Sequence, residues 1–513
     1  MEKGSTVFDR RSGGILLHPS SLPGLHGIGD LGPKAYEFVD WLATAGCTLW
    51  QVLPLGPTGY GNSPYQCTSA FGGNPYLISP DLLVREGLLK TSELAERPTF
   101  EATARGRVRR VSFGKVIPWK MSLLERAFDR FQSSAPEPLR QEFAAFRADN
   151  ASWLEDFSLF MAIKEANDDR PWSEWPLPLR HRDPVALRDA REWLGPSITR
   201  YSFYQLLFYR QWWQLRDHAH AQGIRIIGDL PIFCAADSAD VWAHPDLFFL
   251  EEDGTATYWS GVPPDYFSAT GQLWGNPLYR WENHKQTGYD WWLQRLRSTL
   301  AQVDIARLDH FRGFAACWEI PAGSPTAEIG RWEPGPAADL FNAILRDSNQ
   351  DPQAAALPLI AEDLGVITPD VVRLRDDFRL PGMRVLQFGF SEPQPLFLPH
   401  NYVHRCIAYT GTHDNDTSQG WLRTASQEER AYALRYLQTS VNGFSWAMVR
   451  AIWSSVAVFA IAPMQDLLGL GTQARMNYPG RPVGNWEWRL REDDVSRSLG
   501  DRLAELNELY GRH

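Results

Sequence analysis

Eight short apolar runs recur along the chain, and most of them are separated by segments whose apolar residues repeat at helical spacing. Near-continuous hydrophobic runs are typical of strands covered on both faces. Their alternation with helices favours a closed parallel barrel over an open sheet. The predicted fold class is therefore α/β, a (β/α)8 TIM barrel with helical insertions. The predicted strands are residues 15–18, 49–53, 224–229, 303–309, 357–363, 384–388, 406–410 and 456–463.

The gaps between the predicted strands are uneven. About 170 residues separate the second strand from the third, far more than one crossover helix needs. Amphipathic helices are predicted there at residues 119–133, 138–148, 153–167, 184–194 and 203–222. We predict that residues 1–80 form the first part of the barrel and 81–200 a largely helical insertion subdomain. Residues 201–513 would complete the barrel, with a Trp/Tyr-rich loop insertion at about 240–290. Two Pro/Gly-rich segments, 321–336 and 391–399, are expected to be rim loops.

Three of the predicted strands are followed by carboxylates: Asp309 ends the fourth, Glu362 the fifth, and Asp414 follows the seventh. A carboxylate where a buried strand ends is costly to desolvate and needs a reason. The carboxyl-terminal ends of barrel strands meet around one site. Arg307 lies two residues before Asp309, so both side chains should share a face, with the guanidinium keeping the carboxylate ionised for a nucleophilic role.

Glu362 faces other carboxylates in this arrangement, which should raise its pKa and suit it to proton donation. Asp309 and Glu362 then satisfy the requirement for glycoside cleavage with retention if their carboxyl groups lie about 5–5.5 Å apart. His413 and Asp414 add a donor and a third acid that can bind sugar hydroxyls.

Each element also has a purely structural interpretation. Arg307 and Asp309 could form a structural ion pair, Asp363 could cap the following helix, and residues 413–416 could form a polar turn. Their occurrence together at three strand ends of one barrel favours the chemical interpretation.

The composition excludes several classes of protein. The chain has 513 residues, of which 44% are hydrophobic, and 51 basic against 61 acidic residues give a net charge of −10 without a Lys/Arg block. This argues against a nucleic-acid partner. There is no apolar signal segment and no apolar run long enough to span a bilayer, so no membrane association is expected. Five scattered cysteines fit a reducing compartment, and the expected location is cytoplasmic.

Most of the aromatic side chains are expected to belong to the core, but those in polar loops suggest sugar binding, whereas nothing points to a cofactor. The 22 Trp, 17 Tyr and 26 Phe residues are many for a chain of this kind, and those in polar loops can stack on the C–H faces of sugar rings. The histidines lack metal-ligand spacing, residues 414–416 lack the Gly and Glu of a calcium loop, and no phosphate-binding loop is present. We therefore predict catalysis without a cofactor or a metal.

The motifs around the three acids resemble those of amylomaltases, the 4-alpha-glucanotransferase or disproportionating-enzyme family. They read Ala-Arg-Leu-Asp-His-Phe-Arg-Gly at 306–313, Ala-Glu-Asp-Leu-Gly at 361–365 and Thr-His-Asp-Asn at 412–415. Further similar blocks lie at 63–65, 228–233, 271–277, 398–402, 475–477 and 484–489. The resemblance extends from about residue 15 to residue 489.

This resemblance implies a TIM barrel with helical insertions and the retaining transfer of an α-1,4-glucan segment through a covalent glycosyl-aspartate. The acceptor would be the 4-hydroxyl of another glucan, a maltooligosaccharide or glucose. Asp309 would be the nucleophile, Glu362 the general acid/base and Asp414 the stabiliser of the ring at subsite −1. The implied substrate-binding residues are Ser63, Tyr65, Asp229, Asp265, Gln272, Trp274, Arg307, His310, His413 and Asn477.

Two departures from related patterns affect the interpretation. Asp229 is followed by Leu-Pro-Ile-Phe, where alpha-amylases carry an Asn-His pair that contributes to calcium binding. This points away from a calcium amylase. Ser391 stands where many relatives would carry Asp, which concerns acceptor contacts and not the chemistry.

The acids alone do not choose between transfer and hydrolysis, because water or a sugar hydroxyl could resolve the intermediate. Residues 259–277, with Gly261, Gly271 and Gly275 as pivots, are predicted to form a lid that excludes water; an ordinary surface loop is the alternative. A hydrolase or phosphorylase of the same fold therefore remains open. A carbohydrate-binding protein without activity is a further alternative, although such proteins usually lose a catalytic acid.

Overall fold

The computed structural model describes residues 7–100, 109–264, 268–348, 357–391, 395–481 and 483–513. Within them, eight parallel strands close into a barrel, which confirms the predicted fold class. The barrel strands are β1 (Ser12–Leu16), β2 (Leu49–Gln51), β3 (Arg225–Pro231), β4 (Ile305–Asp309), β5 (Leu359–Ala361), β6 (Gly382–Val385), β7 (Cys406–Tyr409) and β8 (Phe459–Pro463). Strands that are consecutive in the chain order β1 to β8 pair with each other, and β1 pairs with β8 to close the barrel.

All eight predicted strands are present, but two are displaced from their predicted positions. β1 begins at Ser12 instead of residue 15, and β6 begins at Gly382 and ends before a 3-10 turn, Leu386–Phe390. Both strands start with small residues, which carry no apolar side chain for a hydrophobic pattern to detect. At Gly14 the small size is required, since a Cβ there would lie 2.5 Å from the Cβ of Leu49 on β2.

The five helices predicted between the second and third strands are all observed. The α-helices of the described residues are Pro33–Thr44, Pro80–Arg85, Thr91–Leu94, Phe113–Ser134, Glu137–Asp149, Ala151–Ala166, Leu177–Arg180, Pro184–Trp193, Gly195–Ala221, Ala239–Ala243, Trp281–Gln286, Asp290–Gln302, Ala337–Asp347, Pro369–Asp377, Ser418–Thr424, Gln427–Tyr436, Phe444–Ser454, Met464–Leu467 and Arg497–Leu509. Helix Gly195–Ala221 spans the predicted boundary at residue 200 and contacts both Ala151–Ala166 and the barrel helix Pro33–Thr44. The three-part domain division remains a prediction.

The Trp/Tyr-rich segment at about 240–290 is predicted to be a loop insertion, but in the structure part of it forms strands. Strands Tyr258–Val262 and Gln272–Pro277 form an antiparallel sheet with Ala316–Pro321 and Arg331–Pro334, so the prediction of a rim loop over 321–336 is also wrong in part. The pattern was missed because the strands are short, rich in Gly and Pro, and paired between two distant segments. A separate two-stranded sheet joins Arg109–Arg110 to Trp488–Arg489.

No helix among the described residues has the length and apolar content needed to cross a bilayer. All five cysteines are free thiols.

Candidate active site

The barrel brings the predicted acids to its carboxyl-terminal rim. Asp309 is the last residue of β4, and Glu362 directly follows β5, which pairs with β4. Asp229 on β3 lies beside Arg307 in the register of the β3–β4 pair. Asp414 follows β7 on a short turn. The four carboxylates therefore come from β3, β4, β5 and the segment after β7, as expected for a site at the rim of a parallel barrel.

Arg307 joins two of these carboxylates through one nitrogen. Its Nη1 lies 2.8 Å from both carboxylate oxygens of Asp229 and 2.9 Å from Oδ1 of Asp309. Arg307 and Asp309 thus share a face, as their spacing predicted. Burial alone would lower the pKa of the guanidinium, but Asp229 and Asp309 outweigh it and raise the pKa of Arg307 well above its usual value. Arg307 is therefore a fixed positive charge at this site.

The two carboxylates that Arg307 binds differ in solvent exposure. The side chain of Asp229 is 0% exposed, whereas that of Asp309 is 28% exposed. Tyr65 donates its hydroxyl hydrogen to Oδ2 of Asp229 at 2.8 Å. Burial raises the pKa of Asp229, and the charge of Arg307 opposes that effect. Asp309 is thus partly exposed to solvent, while Asp229 is enclosed by Arg307 and Tyr65.

Glu362 is held by two backbone amides. The amide of His310 donates to Oε2 at 2.9 Å, and the amide of Leu364 donates to Oε1 at 3.0 Å. Burial raises the pKa of Glu362 to about 8; Arg307 opposes this rise and Asp309 adds to it. The predicted direction is confirmed, but the cause is mainly burial rather than neighbouring carboxylates. Glu362 carries a proton at neutral pH.

Asp363 has a structural role that differs from the helix cap considered above. The next helix, Pro369–Asp377, has Thr368 at its N-cap. Asp363 instead accepts hydrogen bonds from Nη1 of Arg375 at 2.5 Å and from the amide of Met383 at 2.7 Å. Asp363 therefore fastens β5 to β6 behind the site.

Asp414 projects from a polar turn whose closing residue is Asn415, with Oδ1 of Asn415 accepting the amide hydrogen of Thr412 at 2.8 Å. Asn477 donates its Nδ2 hydrogen to Oδ1 of Asp414 at 2.6 Å, and Nε2 of His413 lies 3.3 Å from Oδ2. Burial opposes ionisation, but His413 and Asn477 outweigh it and hold the pKa of Asp414 below its usual range. Asp414 is ionised, and its side chain is 45% exposed.

The aromatic ring of Tyr65 stacks on His413, with ring centroids 5.0 Å apart and an interplanar angle of 16°. The pKa of His413 is raised, because the charge of Asp414 and its hydrogen bond outweigh burial. The imidazole of His413, whose protonated form Asp414 favours, and the flat aromatic face of Tyr65 thus lie next to each other at the site.

The other predicted residues lie around this group. Gln272 and Trp274 share a strand of the antiparallel sheet, and Nε1 of Trp274 donates to Oε1 of Gln272 at 3.3 Å. The indole of Trp274 packs edge-on against the ring of His310 at 4.7 Å. Ser63 accepts the amide hydrogen of Tyr65 at 3.2 Å and so supports the loop after β2. Asp265, also predicted, lies outside the described residues.

Three residues in contact with the site were not predicted. Arg475 donates from Nη2 to the carbonyl of Asp414 at 2.5 Å and from Nε to the carbonyl of Asn477 at 2.7 Å. Gln66 donates to the carbonyl of Trp274 at 3.3 Å. The third, Trp486, lies 5.8 Å from the ring of Tyr65. Each lies within or beside a motif already recognised, and that proximity was the available signal.

A cluster of three or more metal-ligating side chains does not occur in the part of the chain that the structure describes. The chemistry available from the residues present is that of ionised and protonated carboxylates, a fixed guanidinium and hydrogen-bond donors to hydroxyl groups.

The fold and this group of side chains define a (β/α)8-barrel enzyme with its carboxylates at the carboxyl-terminal rim. The sequence profile of the 4-alpha-glucanotransferase family matches residues 17–495. The chain belongs to that family and is a 4-alpha-glucanotransferase.

Individual relatives are similar over nearly the whole chain. The 4-alpha-glucanotransferase of Thermus thermophilus is 50% identical, covering 98% of this chain and 99% of that protein. The chloroplastic/amyloplastic enzyme of Solanum tuberosum is 45% identical, covering 98% and 87%. Among solved structures, amylomaltase from Streptococcus agalactiae in complex with acarbose is 38% identical with a TM-score of 0.93, covering 98% of this chain and 100% of that one.

Proposed function

We propose that this 4-alpha-glucanotransferase works through a covalent glycosyl intermediate on Asp309, with Glu362 as general acid and then general base. The observation that carries the proposal is that two carboxyl groups lie at the ends of adjacent strands, one in contact with a fixed guanidinium and the other with a pKa raised by burial. Arg307 contacts Asp309 through Nη1 at 2.9 Å, and burial raises the pKa of Glu362 to about 8. A negatively charged nucleophile beside a protonated acid is the combination that retaining glycoside cleavage requires.

In the first step, a carboxylate oxygen of Asp309 attacks C1 of the glucosyl unit, and the bond between C1 and the glycosidic oxygen breaks. The proton of Glu362 passes to that oxygen, so the leaving chain departs with a neutral 4-hydroxyl. In the second step, the 4-hydroxyl of an acceptor attacks C1, its proton passes to the ionised Glu362, and the bond to Asp309 breaks. Two inversions at C1 give net retention.

Asp414, His413 and Asn477 are proposed to bind the hydroxyls of the sugar that reacts. The ionised Asp414 can accept hydroxyl hydrogens, and its 45% exposure leaves it available to do so. Charge-assisted hydrogen bonds of this kind stabilise a transition state when they strengthen as the ring distorts. The ring of Tyr65, stacked on His413, is proposed to contact the face of the same sugar.

Gln272 and Trp274, together with Asp265 from the sequence motif, are proposed to contact the glucan around the reacting bond, and Ser63 to support Tyr65. The proposed donors are α-1,4-glucans and maltooligosaccharides, with glucose or another glucan as the acceptor. A cytoplasmic location remains a prediction, supported by the five free cysteines.

The intermediate can be tested by trapping it. In a Glu362→Gln variant, α-maltotriosyl fluoride should still react, because fluoride leaves without protonation, whereas the resulting ester cannot be resolved quickly without the base. Mass spectrometry of proteolytic fragments should then find one maltotriosyl group on the peptide that contains Asp309. The double variant Glu362→Gln/Asp309→Asn serves as the control and should carry none. A label on a different residue would refute the assignment of Asp309.

The single variant Asp309→Asn tests the same role by rate. It should fold normally and lose transfer from maltotriose by roughly a thousandfold or more. Product analysis on maltotriose distinguishes the reactions: longer maltooligosaccharides plus glucose indicate transfer, and shorter products alone indicate hydrolysis.

A further inference from the structure

His310, which directly follows Asp309, has a backbone conformation that is rare for a residue with a side chain. Its φ and ψ are both 51°, in the left-handed region. Residues other than glycine adopt this region at a cost, and they persist there when the surrounding structure holds them. The neighbours of His310 show what holds it and what its conformation achieves.

The left-handed turn aims two successive backbone amides at Glu362. The amide of His310 donates to Oε2 of the carboxyl group at 2.9 Å, and the amide of Phe311 donates to the main-chain carbonyl of Glu362 at 3.2 Å. Both the side chain and the backbone of the proposed acid are therefore fixed by the turn that begins at His310.

The imidazole ring of His310 is clamped by packing rather than by hydrogen bonds. Trp274 meets it edge-on at 4.7 Å with an interplanar angle of 89°, and Phe233 lies 6.4 Å away. Gly313 also approaches the ring closely, since a Cβ there would lie 3.1 Å from Cδ2 of His310. Nε2 is buried without a partner, and burial lowers the pKa of the ring to about 4. The ring is neutral, and its contacts are mainly apolar.

We propose that His310 is a positioning residue that links the indole of Trp274 to the carboxyl group of Glu362. Packing of Trp274 on the imidazole holds the left-handed backbone, and that backbone holds the amide against the carboxyl group. This inference rests on the proposed function, in which Glu362 is the acid and base. It assigns to Trp274 a second role, exerted through His310, in addition to contact with substrate.

The consequence has a definite sign. An N–H group that donates to a carboxylate favours its ionised form, so an amide that drifts away raises the pKa of Glu362 further. The first step needs protonated Glu362, and the alkaline limb of kcat/KM should therefore move to higher pH. The value of kcat should fall as well, because the carboxyl group loses its orientation. A role limited to substrate contact would raise KM and leave the alkaline limb unchanged.

The test is a double-mutant cycle of Trp274→Ala and His310→Ala, read from the pH profile of kcat/KM on maltotriose; alanine removes the ring and keeps the cost of the left-handed region, which glycine would remove. Each single variant should shift the alkaline limb upward by about half a unit to one unit, the size of one hydrogen bond. The double variant should shift it no further than the larger single shift, because both changes release the same amide. Additive shifts, or no shift in either single variant, would overturn the inference.

A series at position 310 separates the backbone from the ring. Asparagine tolerates the left-handed region, whereas a β-branched residue does not, so His310→Asn should keep its alkaline limb closer to that of the parent than His310→Val. If His310→Val does not fold, the comparison of Trp274→Ala with the parent still decides. If the alkaline limb of kcat/KM lies at the same pH in the parent and in Trp274→Ala, the proposed link between Trp274 and Glu362 is wrong.

Trp318→Ala is the matched control. Trp318 lies on the same antiparallel sheet and packs against Trp332 at 5.2 Å. Its loss should leave the alkaline limb of kcat/KM at the same pH, and a shift equal to that of Trp274→Ala would overturn the inference.

Glu362→Gln distinguishes failure of the proposed function from failure of the role proposed for His310. Retention of activity and of the alkaline limb in that variant refutes the proposed function. If Glu362→Gln loses activity but the alkaline limb does not move in the variants at Trp274 and His310, only the role proposed for His310 is refuted.

Discussion

Asp229 and Arg307 form a buried ion pair in which one guanidinium nitrogen, Nη1, lies 2.8 Å from both carboxylate oxygens. The same nitrogen lies 2.9 Å from Oδ1 of Asp309. Two carboxylates therefore share one positive group, and each weakens the hold of Arg307 on the other. In the proposed mechanism the reactivity of Asp309 depends on this sharing, because a carboxylate that is bound more tightly by a guanidinium is a weaker nucleophile.

This relationship predicts the effect of Asp229→Asn, which keeps the shape and removes the charge. Arg307 would then have only Asp309 as an anionic contact at Nη1, and kcat/KM should fall by roughly a hundredfold with the fold retained. Asp229→Ala should in addition lower the free energy of unfolding by about 3–5 kcal/mol, because it leaves a buried guanidinium without its enclosed partner. Kinetics on maltotriose and thermal unfolding measure the two effects. Parent-like turnover in Asp229→Asn would contradict the argument.

Glu362 predicts a pH dependence of stability as well as of activity. Its pKa is about 8 in the folded chain, against 4.5 for an ordinary glutamate. Between these values the folded state binds more protons than the unfolded state, so this group's contribution to stability is complete below about pH 4.5 and is lost as the pH rises through about 8. Glutamine does not titrate, and Glu362→Gln should therefore gain stability relative to the parent as the pH rises from 5 to 8. At about 1.4 kcal/mol per pKa unit the gain is a few kcal/mol.

Thermal unfolding of both proteins at intervals across this pH range measures the difference. A difference that does not change with pH would show that Glu362 is not perturbed as described. In the parent, kcat/KM should decline above about pH 8, where the proton needed by the leaving group is lost.

The sequence predicted the parts of the site that follow from periodicity. Asp309, Glu362 and Asp414 were found because a carboxylate at the end of an apolar strand stands out, and parallel strands bring such ends together. The left-handed turn at His310 was not predictable, because a histidine carries no local signal for positive φ of the kind that glycine does. The same holds for Asp363, whose partners Arg375 and Met383 are distant in sequence and come near only when β5 and β6 pair.

The antiparallel sheet beside the site was missed for a related reason. Its strands Tyr258–Val262 and Ala316–Pro321 are separated by another strand, two helices and strand β4, so each appears locally as an aromatic loop. Burial was also underestimated. The raised pKa of Glu362 was expected from neighbouring charges, whereas its largest cause is the desolvation that only the packed barrel produces.

Trp274 predicts how the reaction divides between transfer and hydrolysis. Its half-buried indole lies beside His310, next to the proposed nucleophile, and its loss should admit water to the glycosyl intermediate. Trp274→Ala should therefore raise the ratio of glucan hydrolysed to glucan transferred. Reducing-end release and chain-length distribution, measured together on amylose, give the ratio. An unchanged ratio would indicate that other groups exclude water.

Asn477 offers a test of the charge on Asp414, because one substitution removes a hydrogen-bond donor and another adds a second carboxylate. Nδ2 of Asn477 lies 2.6 Å from Oδ1 of Asp414. Hydrogen bonds to charged groups contribute about 1.5–3 kcal/mol, so Asn477→Ala should lower kcat/KM by roughly ten- to a hundredfold. Asn477→Asp should be worse at pH 7, since two adjacent carboxylates repel each other and bind sugar hydroxyls poorly.

The two variants should respond differently to acid. As the pH falls, the pair of carboxylates in Asn477→Asp takes up one shared proton, and the protonated carboxyl group introduced by the substitution can donate to Asp414 as the original amide does. The ratio of kcat/KM for Asn477→Asp to that for Asn477→Ala should therefore rise on acidification from pH 7 to pH 5. Taking the ratio cancels any pH dependence of kcat/KM that the two variants share. A ratio independent of pH would mean that position 477 acts on Asp414 through packing alone, and the electrostatic account of this contact would then be wrong.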